Sequence, residues 1–162
     1  MELIGIEEHR YYGKYPCRLP VWWGYKGESG VHPDVKGVTG RRIILRIEKR
    51  FTRIERLMAK ILRAPKEVRR PLDMKNSLLW ELCNGRNTFE EICDFLNSTF
   101  HEDISPVVER STRGIELLKS QNLVTILDTP FNEKWSIGPG VTPKNQNLKE
   151  LDDELGIDTG EE

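Results

Sequence analysis

The side chains that most often carry out catalysis are few in this 162-residue chain. The three histidines, His9, His32 and His101, fall on predicted loops and lack metal-ligand spacings such as H-x-x-x-H. The sequence contains no C-x-x-C, G-x-S-x-G or phosphate-binding glycine loop. The adjacent acids at 152–154 lie in a polar tail, whereas general acid–base catalysis needs carboxylates at fixed positions. We therefore expect a protein that is not an enzyme and that binds no metal or cofactor.

The three cysteines, Cys17, Cys83 and Cys93, form an odd and sparse set, which argues against a disulfide framework. Cys83 and Cys93 lie among apolar residues in helical patterns, where a free cysteine is usually a core residue. The acidic N-terminal sequence is unlike a secretory signal. No apolar run reaches the roughly 18 residues that a membrane-spanning helix needs. These features predict a cytoplasmic protein without a membrane span.

The net charge of -1 conceals two segments of opposite charge. Residues 41–70 contain twelve Lys or Arg and three Glu, whereas residues 148–162 contain seven acids and one Lys. Such a separation indicates either an anionic partner or an acidic tail that folds back over the basic segment.

The N-terminal half predicts two clear strands and one helix. Residues 1–40 are rich in aromatics, Gly and Pro, which predicts an irregular segment with one possible strand at 20–25. Residues 42–49 are β-branched and partly alternating, as in a strand. Apolar residues at helical spacing predict a basic amphipathic helix over 52–64. Residues 67–72 predict an edge strand, because the proline near its end donates no ladder hydrogen bond.

Two helices follow, each with a recognisable start. Asp73 or Asn76 can cap the first helix, and Gly85 can end it in a left-handed conformation. Thr88 and Glu91 are spaced as a capping box for the second helix.

Ser105-Pro106 opens the third helix, since proline is tolerated at a first helical position, and Asn122 can end that helix in a left-handed conformation. Residues 123–127 predict a strand, with 134–137 pairing back against it. The remaining sequence, beyond Gly138, is polar and acidic, which predicts a mostly disordered tail.

This helical segment resembles the PqqD family over some 60 residues. The most specific feature is the run W-E-L-C-N-G-x-x-T-x-x-E-I at 80–92. The matching positions outside that run are Leu72, Leu79, Leu96, Phe100, Ile115, Leu118, Leu123 and Val124.

The resemblance implies a peptide-binding adaptor. In PqqD-like proteins, also called RiPP recognition elements, a three-stranded sheet precedes three helices. A precursor peptide's leader adds as a strand to the sheet edge beside the third helix. The domain then presents that peptide to a separate modifying enzyme, typically a radical S-adenosylmethionine protein, in cofactor or peptide natural-product biosynthesis.

The expected fold class is therefore α+β, with a winged-helix-like three-helix module and a small antiparallel sheet. The PqqD-like domain would span 41–127, with its core at 66–127 and the basic helix at 52–64 as an insertion. An irregular segment, 1–40, would precede it, and a short strand with an acidic disordered tail, 128–162, would follow.

The predicted peptide contacts on the edge strand are Glu67, Val68, Arg69 and Arg70. Strand addition draws affinity from main-chain hydrogen bonds and selectivity from alternating side chains. Val68 and Arg70 should share one face of the sheet, and Arg69 should lie on the other.

The predicted contacts on the third helix are Val107, Ser111, Gly114 and Leu118, which form one stripe at helical spacing. The small residues Ser111 and Gly114 would make a notch for an apolar side chain of the peptide. The alternative interpretation is close packing against a neighbouring helix or the N-terminal segment.

Several alternatives remain open at this point. The basic helix could be a solvated face packed on the sheet, a recruiter of an acidic peptide or partner, or a contact for nucleic acid or an anionic membrane. A winged-helix nucleic-acid-binding protein is the second functional hypothesis, and a purely structural subunit the third. The third helix has a nearly neutral outer face, whereas a recognition helix usually carries excess positive charge, so the adaptor ranks first. We expect Trp80 in the core, and Trp22–Trp23 in the core or over the peptide groove.

Overall fold

The structure, a computed structural model, describes residues 3–48, 57, 67–144 and 146–160. The predicted basic helix at 52–64 lies outside the described residues except for Leu57. Within the described ranges, three α-helices have both ends defined, and they span Met74–Leu82 (α1), Phe89–Phe100 (α2) and Val107–Ser120 (α3). Short 3-10 turns cover Ile6–Glu8, His101–Ile104 and Asp153–Leu155.

In the part of the chain that the structure describes, six strands form two antiparallel sheets. They are Tyr15–Arg18 (β1), Trp22–Lys26 (β2), Arg42–Glu48 (β3), Glu67–Pro71 (β4), Val124–Leu127 (β5) and Ile157–Asp158 (β6). The larger sheet has the order β4-β3-β2-β6, and β1 pairs with β5 in the smaller one. The predicted α+β class is confirmed, although there are two small sheets rather than one.

The helices begin where local sequence predicts. The Asp73 side chain accepts a hydrogen bond from the Asn76 backbone amide at 2.8 Å and so caps α1. Thr88 and Glu91 form a reciprocal capping box at the start of α2. Asn122 follows α3 with a φ of 59°, in the left-handed conformation predicted for it. The helices pack on the larger sheet around side chains that are fully buried, among them Trp80, Phe89, Ile92, Leu96, Ile115, Ile43 and Leu45.

The register of β3 and β4 fixes which face of the sheet each side chain occupies. Leu45 is paired with Arg70, and Arg46 is paired with Arg69. Opposite residues in an antiparallel pair share a face, and Leu45 is fully buried beneath the helices. Arg70, and with it Val68, therefore lies on the inner, helix-facing side, while Arg69 lies on the outer side. This confirms the predicted division of the two faces.

The N-terminal segment is more regular than its glycines and prolines predict. The predicted strand at 20–25 is confirmed as β2. The strand β1 was not predicted, and it occupies the position beside β5. The predicted pairing of 134–137 with 123–127 is wrong, because 134–137 forms no strand and β5 pairs instead with β1, a segment over 100 residues earlier in the sequence.

The C-terminal segment folds back on the larger sheet instead of forming the predicted disordered tail. Ile157 and Asp158 extend the sheet as β6, antiparallel to β2. Arg41 holds both carboxylate oxygens of Asp158, at 2.7 and 2.6 Å. The Arg46 guanidinium donates to the Lys149 carbonyl at 2.6 Å. These arginine contacts are of the kind expected if the acidic tail covers part of the basic segment.

Candidate functional site

The edge strand β4 has β3 on one side only. Among the strands that the structure describes, none pairs with its other side. The Leu72 amide donates to the Ile43 carbonyl at 2.9 Å, and this bond shows which residues of β4 are hydrogen bonded to β3. In an antiparallel pair, successive residues direct their backbone groups alternately toward and away from the neighbouring strand. Val68 and Arg70 therefore bond to β3, whereas Glu67 and Arg69 present their backbone groups to the open side.

Pro71 occupies the next open-side position of the same strand. A proline there removes no hydrogen bond to β3, which explains how it is accommodated in the sheet. It also removes a donor from the open side, so among the described residues of β4 both an outward amide and an outward carbonyl are offered only by Glu67 and Arg69.

The C-terminal end of α3 meets this edge on the inner side. Arg70 is hydrogen bonded to the side chain of Gln121, just past the end of the helix. Leu117 precedes Gln121 by about one helical turn and therefore lies on the same side of α3. Leu117 is 50% exposed, and on β4 Val68 is 42% exposed. An open ladder and two exposed apolar side chains thus border the inner side of the strand.

Leu117 was missed by the sequence reasoning, which selected its neighbour Leu118. Leu118 is buried in the core. Because adjacent helical residues point about 100° apart, only one of the two leucines can face the core centrally. The tandem Leu117–Leu118 was the signal that an apolar side chain would be left at the surface.

The predicted notch on α3 is closed. Val107, Ser111 and Leu118 are buried, with exposed fractions of 3% or less. A Cβ placed on Gly114 would lie 2.6 Å from Cδ2 of Leu79, on α1. The alternative interpretation, close packing against a neighbouring helix, therefore describes this stripe, and we remove its four residues from the candidate peptide surface. Periodicity identified the stripe, but it could not show that α1 fills it.

Replacing Gly114 by Leu should destabilise the protein by about 1–3 kcal/mol, the usual cost of overpacking a filled core. The larger side chain cannot be accommodated unless Leu79 moves, and Leu79 is itself buried. Urea denaturation followed by circular dichroism would measure the change. Arg113→Leu, at the adjacent exposed position, is the control and should stay within about 0.5 kcal/mol of wild type. Equal midpoints for the two variants would show that the notch is open after all.

A cleft of about 490 Å³ lies on the outer side of β4. The sheet forms its floor, and the folded-back C-terminal segment forms one wall. It combines three basic side chains with an apolar lining, namely Lys26, Gly27, Arg42, Ile44, Arg69, Pro71, Leu155 and Ile157.

On the outer side, the negative charge of the Glu67 carboxylate is already balanced by ion pairs. Two nitrogens of Arg46 hold its carboxylate oxygens at 2.8 Å each, and Arg69 approaches it at 3.3 Å. The hydrogen bonds from Arg46 are the main reason that the pKa of Glu67 lies below its ordinary value. Arg46 is buried and stacks over the Trp22 ring at 4.5 Å, whereas the Arg69 side chain is half-exposed. Arg69 therefore supplies the accessible positive charge at this edge.

The opposite face of α3 is covered by the N-terminal segment. His9 Nε2 lies 3.0 Å from the Thr112 hydroxyl. Arg10 forms an ion pair with Glu116 at 2.6 Å, and Tyr11 donates a hydrogen bond to the same carboxylate. This flank of α3 is thus in contact with the chain itself, whereas Arg110 and Arg113 on the neighbouring side are exposed.

The tryptophans and cysteines discussed below lie in the core. The prediction for Trp80 is confirmed, since it is fully buried, and Trp22 and Trp23 are buried as well. Burial raises the pKa of Cys17 to about 11 and the pKa values of Cys83 and Cys93 to about 12. These thiols are therefore protonated at neutral pH. Within the described ranges, no group of three or more His, Cys, Asp or Glu side chains is arranged to hold a metal ion.

Comparisons of the chain with protein-family models, with curated proteins and with solved structures found no match. Of the helices described, none has the length and apolar character required to cross a membrane.

Proposed function

We propose that this protein captures an extended peptide by strand addition to the open side of β4. The observation that carries the proposal is the pair of outward backbone positions, Glu67 and Arg69, on a strand with one described neighbour. Main-chain hydrogen bonds to these positions supply affinity without demanding a particular peptide sequence. Val68 and Leu117 add apolar contacts on the inner side.

In this proposal the chain is an adaptor and not an enzyme. The resemblance of its helical segment to the PqqD family suggests that the peptide is a precursor, and that the module is winged-helix-like. It further suggests that a separate modifying enzyme, such as a radical S-adenosylmethionine protein, is the second partner. The buried, protonated cysteines are consistent with a role in binding, because a thiol nucleophile acts as its thiolate.

The nucleic-acid alternative is weaker for a specific reason. A recognition helix must insert one face into the groove of a duplex. On α3, Thr112 and Glu116 are engaged by the N-terminal segment, and Lys119 lies over the Tyr11 ring at 5.7 Å. A groove contact that used Thr112, Glu116 or Lys119 would require the N-terminal segment to detach.

The proposal is tested at Arg69, where the backbone and the side chain can be separated. Arg69→Pro removes an outward amide without removing a hydrogen bond to β3, whereas Arg69→Ala keeps the amide and removes only the side chain. Peptides would be selected from a displayed random library against the wild-type protein. Their affinities for wild type and both variants would then be measured by fluorescence anisotropy. We expect Arg69→Pro to weaken binding at least about tenfold and Arg69→Ala to weaken it less.

Amide hydrogen exchange provides an independent measurement on the same strand. In the free protein, the amides of Val68 and Arg70 should be protected and those of Glu67 and Arg69 should exchange rapidly. A bound peptide should protect the Arg69 amide. Slow exchange at Arg69 in the free protein, or selected peptides that bind Arg69→Pro as tightly as wild type, would overturn the proposal.

A further inference from the structure

We infer that the captured peptide alternates acidic and apolar residues, with its acidic side chains on the outer side of the sheet and its apolar side chains facing α3. The inference rests on the proposed strand addition and assigns it a class of ligand. It follows from the different chemistry of the two sides of β4.

Strand geometry places every second side chain of the peptide on the outer side. A peptide residue directly opposite Arg69 shares its face, with the two Cβ atoms about 4.5–5.5 Å apart. That residue lies at the mouth of the outer cleft, because Arg69 and Pro71 both line it. Its neighbours in the peptide point to the inner side.

Charge on the outer side favours a carboxylate at that position. The described residues that line the cleft include Lys26, Arg42 and Arg69, and none of them is acidic. Glu67, the nearest acid on β4, is held by Arg46 and contributes little negative charge to an incoming group. A peptide Lys or Arg would meet the positive charge of Arg69, whose ion-pair partner Glu67 is already held by Arg46.

The connection between β3 and β4 adds to the same preference. Its 18 residues, 49–66, contain seven Lys or Arg and one Glu. Glu48 and Glu67 are paired in the sheet, so this basic connection is attached at the end of β4 where the open ladder begins. Positive charge of this kind accelerates the association of an acidic partner and repels a basic one.

Chemistry on the inner side favours apolar groups. Val68 and Leu117 are the exposed apolar residues of β4 and α3. The polar side chain of β4 on this side, Arg70, is already hydrogen bonded to Gln121. A peptide side chain on this side therefore gains most from burying apolar surface.

Three capped synthetic peptides test the pattern with the full-length protein. The first is Gly-Ser-Leu-Glu-Leu-Glu-Leu-Ser-Gly, the second replaces both Glu by Lys, and the third rearranges the first to Gly-Ser-Leu-Leu-Leu-Glu-Glu-Ser-Gly. Affinities would be measured by fluorescence anisotropy at low salt and at about 0.15 M salt. We expect the first peptide to bind at least about tenfold tighter than either of the others at low salt. The margin between the Glu and Lys peptides, defined as the ratio of their affinities, should shrink as salt is added.

Protein variants then assign the preference to the outer cation. Arg69→Ala should reduce the margin between the Glu and Lys peptides at least about threefold. Arg86→Ala, which removes another exposed arginine that forms an ion pair, is the matched control and should leave the margin unchanged. Arg69→Pro should abolish binding of all three peptides.

The outcomes separate this inference from the function on which it rests. Equal binding of the Glu and Lys peptides, or of the alternating and rearranged peptides, overturns the inference. If that equal binding is still weakened by Arg69→Pro, strand addition is upheld. Binding that is unaffected by Arg69→Pro overturns strand addition itself. Failure of all three peptides to bind overturns the inference, and the library-selected peptides then decide the function independently.

Discussion

Replacing Arg18 by alanine should lower the free energy of unfolding by about 3–5 kcal/mol, because three backbone carbonyl oxygens would lose hydrogen bonds from a charged donor. Arg18 is only 7% exposed. One of its terminal nitrogens, Nη1, donates to the carbonyls of Trp80 at 2.8 Å and Glu81 at 3.0 Å, and Nε donates to the carbonyl of Ile137 at 3.1 Å. Alanine would leave all three carbonyl oxygens without this donor.

The position of Arg18 in the fold explains why its loss should be so costly. The Trp80 and Glu81 carbonyls belong to the last turn of α1, where backbone acceptors lack partners within the helix and a cation is favoured. The guanidinium also lies over the Trp23 ring, 5.0 Å from its centre. Arg18 therefore ties β1, the end of α1 and the C-terminal segment to one point.

Chemical denaturation monitored by tryptophan fluorescence would measure the effect of Arg18→Ala. Arg18→Lys is the informative companion, because an ammonium retains the charge but cannot reproduce the geometry of the planar guanidinium. It should give an intermediate loss. Arg86→Ala, at an exposed arginine, is the control and should remain within about 0.5 kcal/mol of wild type. A loss below about 1 kcal/mol for Arg18→Ala would contradict the proposed role.

Replacing Glu81 by alanine should destabilise the protein by about 3 kcal/mol at neutral pH, because three donors lose their acceptor. The buried Glu81 carboxylate accepts hydrogen bonds from the Thr39 amide at 2.9 Å and from the Thr39 hydroxyl and the Gly40 amide at 3.0 Å each. These contacts hold the loop that leads into β3, which in turn carries β4. Thermal or chemical denaturation of Glu81→Ala beside wild type would measure the loss. A loss within about 0.5 kcal/mol would show that the loop does not depend on this carboxylate.

The same residue predicts a pH dependence with a definite sign. Burial raises the pKa of Glu81 above its ordinary value of 4.5, and the hydrogen bonds from Thr39 and Gly40 oppose that shift only in part. The folded state therefore holds the proton more tightly than the unfolded state does. The resulting stabilisation is complete below the unfolded pKa and is lost as the pH rises through the folded pKa.

Glu81→Gln isolates this contribution because glutamine does not titrate. We expect the stability of wild type relative to Glu81→Gln to be greatest at acidic pH and to decline as the pH rises above about 4.5. Glu67 and Asp158, whose pKa values are lowered, act in the opposite direction and lose stabilisation as the pH falls, but they do so in both proteins. A difference that grows with pH would contradict the raised pKa. Unfolding curves across a pH series would provide the measurement.

Helix starts and ends were predictable because their causes are local. The Asp73 cap, the capping box of Thr88 and Glu91 and the left-handed Asn122 each involve atoms within four residues of one another. The strands β3 and β4 were also predictable from β-branched residues and a proline near a strand end. The alternation of Val68, Arg69 and Arg70 between two faces followed from the period of a strand.

Contacts between distant segments were not predictable in this way. Strand β1 contains Pro16 and reads as a loop, yet it gains its ladder from β5, which lies over 100 residues later. The acidic C-terminal segment also lacks a local signal for β6, whose neighbour is the N-terminal strand β2. A strand is stabilised by the strand beside it, and the local sequence does not specify which strand that neighbour will be.

The sequence by itself determined the caps of the helices, the faces of the edge strand and which residues of the last helix share a stripe, because each depends on the periodicity and hydrogen bonding of neighbouring residues. Only the tertiary structure decided that Leu79 fills the space at Gly114 and that Leu117 is left exposed beside β4. Periodicity states which residues share a face of a helix. Whether that face is filled depends on the volume of another element, which becomes known only when the two elements are packed together.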